Sequence, residues 1–491
     1  MGSKRNIHLA LFIFFIYLVI YGSVSLRLGR HCDEVLDFDG RAYAVYAAGG
    51  RWFLAGFRYV TGTWETPAVS AFISGALIAL LVTVQSCYAG FKRHWMKLAF
   101  AVLYFSCIQW GVMLKYSHMA EALAIGMWCA TAAAWLCFKP GKKFAVGAAL
   151  LLAAALGAYQ TLAMYFGVAW LLLRLLKLRR EQGEYSFRPW WRMASIAAGG
   201  IVVWYAMYRV SLAFVPAETQ DFVRSYQSGL TQWNQEFFSH DLKLQILCLL
   251  HYFRISLANA VGVGDDIYWL FSTSLLPLIG IIWQAWRNNT GWRRWEQCLD
   301  ALLILWVPFS LTALLLSDQG FHSALAAPLS FSGLWMVWLA NAKLERRHIP
   351  VLCLLSTVMI AAAACKLYKQ ARDEVSLHRN TISLITTMQE RGRACAQAAG
   401  YPDAQIVVLA EVEDQNAPFL GAYAYVIRGI GLDWYCTAYG IPGIRQGSGE
   451  ERAAHRAAYE EMPPWPHDGS VRMDQGSVII KVVRKQSPQH S

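Results

Sequence analysis

The sequence predicts an all-α polytopic membrane protein of about eleven transmembrane helices, followed by a small C-terminal α/β domain. Three observations lead to this fold class. Hydrophobic residues make up 56% of the 491-residue chain, and they lie in long blocks separated by short basic segments. Most blocks approach the roughly 20 residues that a helix needs to cross a bilayer. The chain after residue 366 differs, because it combines a charged helical segment with short β-branched runs.

The eleven predicted spans divide the chain into a transmembrane domain, residues 1–366, and a C-terminal domain, residues 367–491. The fifth and sixth spans are the shortest. The spans cover residues 8–26, 69–90, 98–114, 120–138, 144–159, 161–177, 194–214, 267–286, 298–317, 322–341 and 350–366. We expect the first span to be retained, because its apolar stretch is longer than the roughly 7–15 residues of a signal peptide.

The positions of lysine and arginine predict the orientation of the spans. Basic residues fall in alternate loops: Lys4 and Arg5; Lys92, Arg93 and Lys97; Lys139, Lys142 and Lys143; residues 174–192; Arg287, Arg293 and Arg294; and Lys343, Arg346 and Arg347. Short basic loops stay in the cytoplasm, so the N-terminus is predicted inside and the C-terminal domain outside. The net charge of +12 is mostly a topology signal, and no basic patch accompanies a nucleic-acid-binding motif.

Three external regions follow from this topology. In the loop 27–68, an acidic pair precedes aromatic residues that predict short helices along the membrane surface. Glycines break this segment at Gly40, Gly49, Gly50 and Gly56. In the loop 215–266, the largely apolar segment 242–253 has only twelve residues, too few to cross a bilayer, and it predicts a re-entrant or interfacial helix.

The third external region is the C-terminal domain. Residues 372–399 predict a helix, while residues 405–412 and 476–483 predict buried strands by their β-branched runs. Cys395 and Cys436 both lie here, and an oxidising compartment would allow a disulfide between them. Whether they pair stays open. The absence of any CxxC pair from the sequence argues against a zinc site.

Asp33 and Glu34 are the strongest candidates for chemistry, because they lie where the first span leaves the lipid. If the following segment is helical, Asp33, Asp37 and Arg41 share one face at four-residue spacing. A carboxylate placed there can accept the proton of an attacking sugar hydroxyl, as a general base. The alternative is an ordinary polar loop in which Asp37 and Arg41 only pair.

Two patches of sequence resemble the bacterial O-antigen glucosyltransferases of the Gtr type. The first patch has an acidic pair, then an arginine, then a Gly-Arg dipeptide; the second is a Tyr-Gln pair at a membrane turn. The matching residues are Asp33, Glu34, Arg41, Gly50, Arg51, Tyr159 and Gln160. The similarity covers the layout of the transmembrane part but only these patches in sequence, and the C-terminal domain has no counterpart that we identify.

The resemblance implies a GT-C type glycosyltransferase in a bacterial inner membrane. Such an enzyme moves a hexose, here glucose, from a polyprenyl-phosphate donor to a cell-surface glycan on the periplasmic face. It also implies that the acidic pair supplies the catalytic base, although which of Asp33 and Glu34 takes the proton stays open. The donor's lipid tail is expected among the spans.

The departing lipid phosphate needs cations nearby, because negative charge develops on it. Arg41 and Arg51 are the candidates in the first loop. A second group, expected at the external end of the third span, is Lys115, His118 and Glu121. Simple solvation at the membrane edge is the alternative for these side chains.

Other candidate substrate contacts come from later spans. Tyr159 and Gln160 are expected to hydrogen-bond the sugar or the phosphate, unless they are an interfacial aromatic and a helix cap. Arg209 lies within an apolar span, where a charge requires a partner or a function. The sequence gives no certain cofactor: Asp265 and Asp266 together with Asp33 would suit a divalent cation, and the alternative is an ordinary pair of loop carboxylates.

Two other functions remain open at this stage. A transporter or flippase for lipid-linked sugars or polysaccharide would use the acids for gating or coupling. Transporters, however, more often carry paired charges near the midplane and repeated halves. A non-catalytic assembly partner, which binds another protein through its C-terminal domain, is the third interpretation. The collection of acids on one predicted face favours surface chemistry.

Overall fold

The computed structural model describes most of the chain. The described residues are 4–27, 42–62, 67–88, 93–107, 114, 117–180, 188–221, 223–224, 266–289, 291–314, 325–341, 349–411, 432–433, 436 and 440–483. They form two compact units, of which the first extends to Lys369 and the second begins at Gln370.

The first unit is helical throughout its described part. Its helices are α1 (Lys4–Arg27), α2 (Ala42–Ala48), α3 (Trp52–Thr61), α4 (Pro67–Tyr88), α5 (His94–Ser106), α6 (Ser117–Leu136), α7 (Lys142–Ala158), α8 (Leu162–Arg180), α9 (Arg188–Leu212), α10 (Asp266–Asn288), α11 (Trp292–Leu314), α12 (Ala327–Asn341) and the beginning of α13 (Ile349–Ala398).

Within the described residues, four helices are long and apolar enough to cross a membrane. They contain the segments Asn6–Leu26, Ala68–Cys87, Met119–Leu136 and Arg188–Leu212. Two shorter apolar segments, Leu162–Leu176 and Ala327–Leu339, lie in α8 and α12. The protein is therefore a helical membrane protein, and the number of eleven spans stays a prediction.

Tyrosine side chains join α1 to α4 and α5. Tyr17 donates a hydrogen bond to the carbonyl oxygen of Ala71 at 2.9 Å. Its ring also packs directly on Gly75, where a Cβ would come within 2.1 Å of the ring. Tyr21 donates to the carbonyl oxygens of Phe105 and Cys107 at the C-terminal end of α5, where a helix has no backbone N–H for its last carbonyls. These hydrogen bonds pair buried backbone acceptors with buried hydroxyl groups.

A buried ion-pair network joins α8 to α11. Arg174 contacts the carboxylate of Glu296, and its Nη1 lies 2.7 Å from Asp300 Oδ1. The guanidinium also lies against two rings, 5.5 Å from the centroid of Trp170 and 5.0 Å from that of Trp190. One cation and two carboxylates are thus removed from solvent together, and breaking this group is expected to be costly.

Three predicted boundaries differ from the structure. The predicted span 98–114 extends past the end of α5, because α5 ends at Ser106. The predicted break at Gly56 is wrong, since this glycine lies inside α3. The predicted span 350–366 and the predicted helix 372–399 belong to the single 50-residue helix α13. Nothing in the sequence ends a helix there, because neither glycine nor proline occurs from Val351 to Arg391.

The second unit combines the later part of α13 with a four-stranded sheet. Its other elements are β1 (Ile406–Glu411), β2 (Ile444–Gln446), α14 (Gly449–Ala454), α15 (Arg456–Glu461), β3 (Val471–Asp474) and β4 (Ser477–Val483). The strand order is β2-β1-β4-β3, with β1 parallel to both neighbours and β3 antiparallel to β4. The strands predicted at 405–412 and 476–483 correspond to β1 and β4.

Cys395 and Cys436 lie in the same hydrophobic core of the second unit, together with Ile406 and Ile480. Both are free thiols in the structure. Burial, and to a smaller extent the nearby Asp433 carboxylate, raises the pKa of the Cys436 thiol to about 12. Cys436 is therefore a neutral apolar side chain of this core at physiological pH.

The N-terminus of α14 has a capping box, which makes the second unit sensitive to acid. Ser448 Oγ accepts from the backbone N–H of Glu451, and the Glu451 carboxylate accepts from Ser448 N–H and from Arg445. The hydrogen bonds from Arg445, followed by that from Ser448, lower the pKa of Glu451 to about 2. This stabilisation is present above the unfolded pKa of about 4.3 and is lost as the pH falls towards 2.

We expect Glu451→Gln to speed amide hydrogen exchange in residues 444–461 of the full-length protein at pH 7, because it removes the charge that Arg445 and Ser448 bind. The variant and the wild type should converge as the pH falls through 2, because the wild-type carboxyl then also becomes protonated. Equal exchange at pH 7 would show that the capping box does not stabilise this region.

Candidate active site

A sharp turn between α2 and α3 is the centre of the candidate active site. Within this turn, Arg51 N donates to Tyr46 O at 2.8 Å, and Gly49 N donates to Val45 O at 2.9 Å. Gly50 has a φ of +76°, a conformation that favours glycine. A Cβ on Gly50 would also lie 2.9 Å from Gln160 Nε2. Both the backbone conformation and the lack of space therefore require glycine at position 50.

Side chains from two other parts of the chain hold the carbonyl groups of this Gly49–Arg51 turn. Gln160, between α7 and α8, donates from Nε2 to Gly49 O at 2.7 Å. Trp204 in α9 donates from its indole Nε1 to Gly50 O at 3.0 Å. The ring of Trp204 is stacked on that of Tyr208, one turn further along α9. The turn is thus held by the connection between α7 and α8 and by α9.

Arg51 projects from this turn as a partly buried cation. Its guanidinium carbon lies 4.7 Å from the ring centroid of Tyr159, and its Nη1 lies 3.7 Å from Met119 Sδ at the start of α6. Within the described parts of the chain, no carboxylate forms an ion pair with Arg51. The sulfur and aromatic contacts orient the guanidinium, whose N–H groups are the type of donor that binds an anion such as a phosphate.

A second arginine of α3 is fully buried and paired. Arg58 Nη2 lies 2.7 Å from Glu121 Oε2 of α6, and the side chains are 1% and 2% exposed. The other carboxylate oxygen, Glu121 Oε1, is buried without a hydrogen-bond partner among the described residues. At the other end of α3, Trp52 packs on Gly157 of α7, where a Cβ would come within 2.5 Å of the indole.

Comparison with known proteins identifies the family. A sequence model of the glucosyl transferase GtrII family matches residues 30–339, which is more than half of the chain. The chain belongs to the glucosyl transferase GtrII family. The match includes the Gly49–Arg51 turn and all the residues that contact it. No curated protein and no solved structure matches the chain.

Membership of the GtrII family confirms the Gtr-type resemblance of the sequence, and it makes this membrane protein a glycosyltransferase. An enzyme of this class requires a sugar donor and a glycan acceptor. The family match covers Asp33 and Glu34 as well as Arg51, Tyr159 and Gln160. Transfer of a sugar is therefore better supported for this GtrII member than transport or a purely structural role.

Three of the predicted site residues come together in the structure of this GtrII protein: Arg51, Tyr159 and Gln160. Glu121 lies in the first turns of α6, where it pairs with Arg58. Arg209 lies in the last turn of α9 with its side chain exposed, five residues beyond Trp204. The other predicted positions lie outside the described residues: Asp33, Glu34, Asp37, Arg41, Lys115, Asp265 and the side chains of His118 and Asp266.

Two of these residues, Gln160 and Glu121, bind other groups in the structure than the sequence suggested. Gln160, expected to bind the sugar or the phosphate, donates to the Gly49 carbonyl. Glu121, expected to bind substrate, binds Arg58. Neither Trp204 nor Arg58 was predicted from the sequence. The sequence contains one indication of Arg58. It is the single charged residue in the apolar segment 52–60, and it follows Arg51 by seven residues, which places both on one side of a helix.

A metal site is not evident in the described part of the molecule, where no group of three or more His, Cys, Asp or Glu side chains could hold an ion. The candidate divalent-cation ligands, Asp33, Asp265 and Asp266, are not among the side chains that the structure describes. The described part of the site therefore consists of a guanidinium group, aromatic rings and backbone carbonyls that accept hydrogen bonds from side chains.

Proposed function

We propose that this chain is a GT-C type glucosyltransferase, which moves glucose from a polyprenyl-phosphate donor to a cell-surface glycan such as O-antigen. The reaction takes place on the periplasmic face of a bacterial inner membrane. Family membership supports the transfer of glucose. The alternation of basic loops supports an N-terminus in the cytoplasm, and it assigns the Gly49–Arg51 turn and the C-terminal domain to the periplasm.

The observation that carries this proposal is the arrangement around Arg51. A cation that is partly buried and has no described carboxylate partner retains its capacity for an anionic ligand. A planar guanidinium presents donors in a fork that matches two phosphate oxygens. Polyprenyl phosphate brings such a phosphate to the membrane surface, where the end of a transmembrane bundle can reach it.

The proposed mechanism needs one base and one anion-binding group. The acceptor hydroxyl oxygen forms a bond to C1 of the sugar while the bond from C1 to the phosphate oxygen breaks. The hydroxyl proton passes to the carboxylate of Asp33 or Glu34, and the electron pair of the broken bond stays on the departing lipid phosphate. Arg51 stabilises the charge that develops on this phosphate.

Asp33→Asn and Glu34→Gln test the proposal in purified protein reconstituted into vesicles. The assay measures labelled glucose passing from polyprenyl phosphate to an acceptor glycan. Loss of the general base should slow transfer by about 10²- to 10⁴-fold, and the variant with the larger loss identifies the base.

Asp221→Asn is the control, because Asp221 is an exposed acid that follows α9 on the same predicted face. It should retain the wild-type rate. Wild-type rates in both acidic-pair variants would contradict the catalytic assignment. Movement of the lipid-linked sugar across the vesicle membrane, without formation of a new glycosidic bond, would instead support a flippase.

A further inference from the structure

We propose that Arg58 and Glu121 are positioning residues for the candidate active site. Their buried ion pair fixes the orientation of α3, and α3 places the guanidinium of Arg51. The inference rests on the proposed function in one respect, since it takes Arg51 as the group that binds the donor phosphate. It extends that function by assigning a role to two charged residues that do not touch the substrate.

Helix α3 connects the two arginines rigidly. Arg51 is its N-cap residue, and Ala55 N donates to Arg51 O at 2.9 Å, so the helical hydrogen bonds begin at Arg51. Arg58 follows seven residues later, which is about two turns and about 10 Å along the helix axis. The two side chains therefore leave α3 on nearly the same side.

Both arginines reach the same neighbouring helix. Arg51 contacts Met119 and Arg58 contacts Glu121, and both partners belong to the first turns of α6. Helix α3 is thus attached to α6 near each of its ends. Releasing the Arg58 end would let α3 tilt, and a tilt moves Arg51 relative to Tyr159 and the Gly49–Arg51 turn.

An ion pair suits this role better than an apolar contact. Arg58 and Glu121 are almost completely removed from solvent, and well-packed apolar side chains would give comparable stability at such a site. A contact between a guanidinium and a carboxylate depends on direction as well as distance, whereas apolar surfaces can slide past one another. The pair therefore holds α3 in one orientation.

The test is the double variant Arg58→Met with Glu121→Leu, which removes both charges and keeps the side-chain volumes similar. Two quantities are measured in full-length protein: amide hydrogen exchange in residues 49–55, and KM and kcat for the polyprenyl-phosphate donor. We expect exchange in residues 49–55 and the donor KM each to rise about tenfold, because small displacements of a binding group are costly. The value of kcat should fall as well, since a displaced Arg51 stabilises less of the charge that develops on the departing phosphate.

Arg174→Lys is the matched control, because it alters another buried ion-pair network of the same unit. It should leave both exchange in residues 49–55 and the donor KM at wild-type values. If the double variant does not fold, Arg58→Lys replaces it, because lysine keeps the charge but loses the planar fork.

The two measurements separate this inference from the proposed function. Unchanged exchange in residues 49–55, or an unchanged donor KM despite faster exchange, would overturn the positioning role. An equal rise of the donor KM in Arg174→Lys would also overturn it, because the effect would then be a general loss of stability. A wild-type protein that transfers no sugar from polyprenyl phosphate would refute the proposed function, while the exchange measurement would still decide whether the pair positions Arg51.

Discussion

Arg51→Ala is expected to lower kcat/KM for the lipid-linked donor by about 10²- to 10³-fold, the usual effect of removing one preorganised donor from a developing anion. The loss should be large because Arg51 is directed by Tyr159 and Met119 and has no carboxylate partner in the described structure. The measurement is steady-state transfer of labelled glucose by reconstituted protein. Arg51→Lys should recover only part of the loss, since an ammonium group cannot bind two phosphate oxygens in a fork.

Arg287→Ala provides the comparison for this result. Arg287 is exposed in the last turn of α10, on the predicted cytoplasmic side, and its removal should leave kcat/KM unchanged. If Arg51→Ala retained wild-type kcat/KM, Arg51 would have no role in stabilising the departing phosphate. The anion-binding group would then have to be sought among the other cations of the external loops.

Arg174→Ala is expected to destabilise the first unit by about 3–5 kcal/mol, because it leaves the buried carboxylates of Glu296 and Asp300 without their cation. The change also removes the guanidinium from its position against Trp170 and Trp190. Thermal or denaturant unfolding of the purified protein in detergent, followed by tryptophan fluorescence, measures the loss.

A triple variant shows whether charge is the cause. Arg174→Met combined with Glu296→Met and Asp300→Leu replaces all three charges with apolar side chains of similar size, and it should recover most of the lost stability. If the triple variant were as unstable as Arg174→Ala, lost packing of the arginine side chain between the aromatic rings would explain the effect. An Arg174→Ala protein as stable as the wild type would show that the network contributes nothing.

For the described helices of the first unit, hydrophobic patterning predicted the existence of each helix more accurately than the residues at which it ends. A window of apolar residues identifies a helix that suits lipid, but hydropathy and helicity are different properties. Residues 350–366 are apolar and the following residues are charged, so hydropathy changes sharply at Lys366. The backbone of α13 continues through this point because its hydrogen bonds do not depend on the polarity of the side chains.

The residues of the candidate site were predictable only where a local motif contained them. Arg51, Tyr159 and Gln160 stood in patches that resemble the Gtr-type enzymes, and the structure brings them together. Trp204 lies in an apolar span, where a tryptophan is an ordinary residue and does not indicate a special role. Its hydrogen bond to Gly50 joins residues that are 154 positions apart in the sequence. Such a contact depends on how helices pack, which no local pattern in one sequence reveals.

The length of α7 has a consequence for the lipid around the candidate site. Its 17 residues extend only about 25 Å, which is about 5 Å less than the hydrocarbon core of a typical bilayer. In the predicted topology, Lys142 and Lys143 at its first turn lie at the cytoplasmic headgroup layer, so the opposite end, next to Tyr159 and Gln160, falls short of the other layer. We expect the bilayer to thin there, which would bring a lipid-borne phosphate nearer to Arg51.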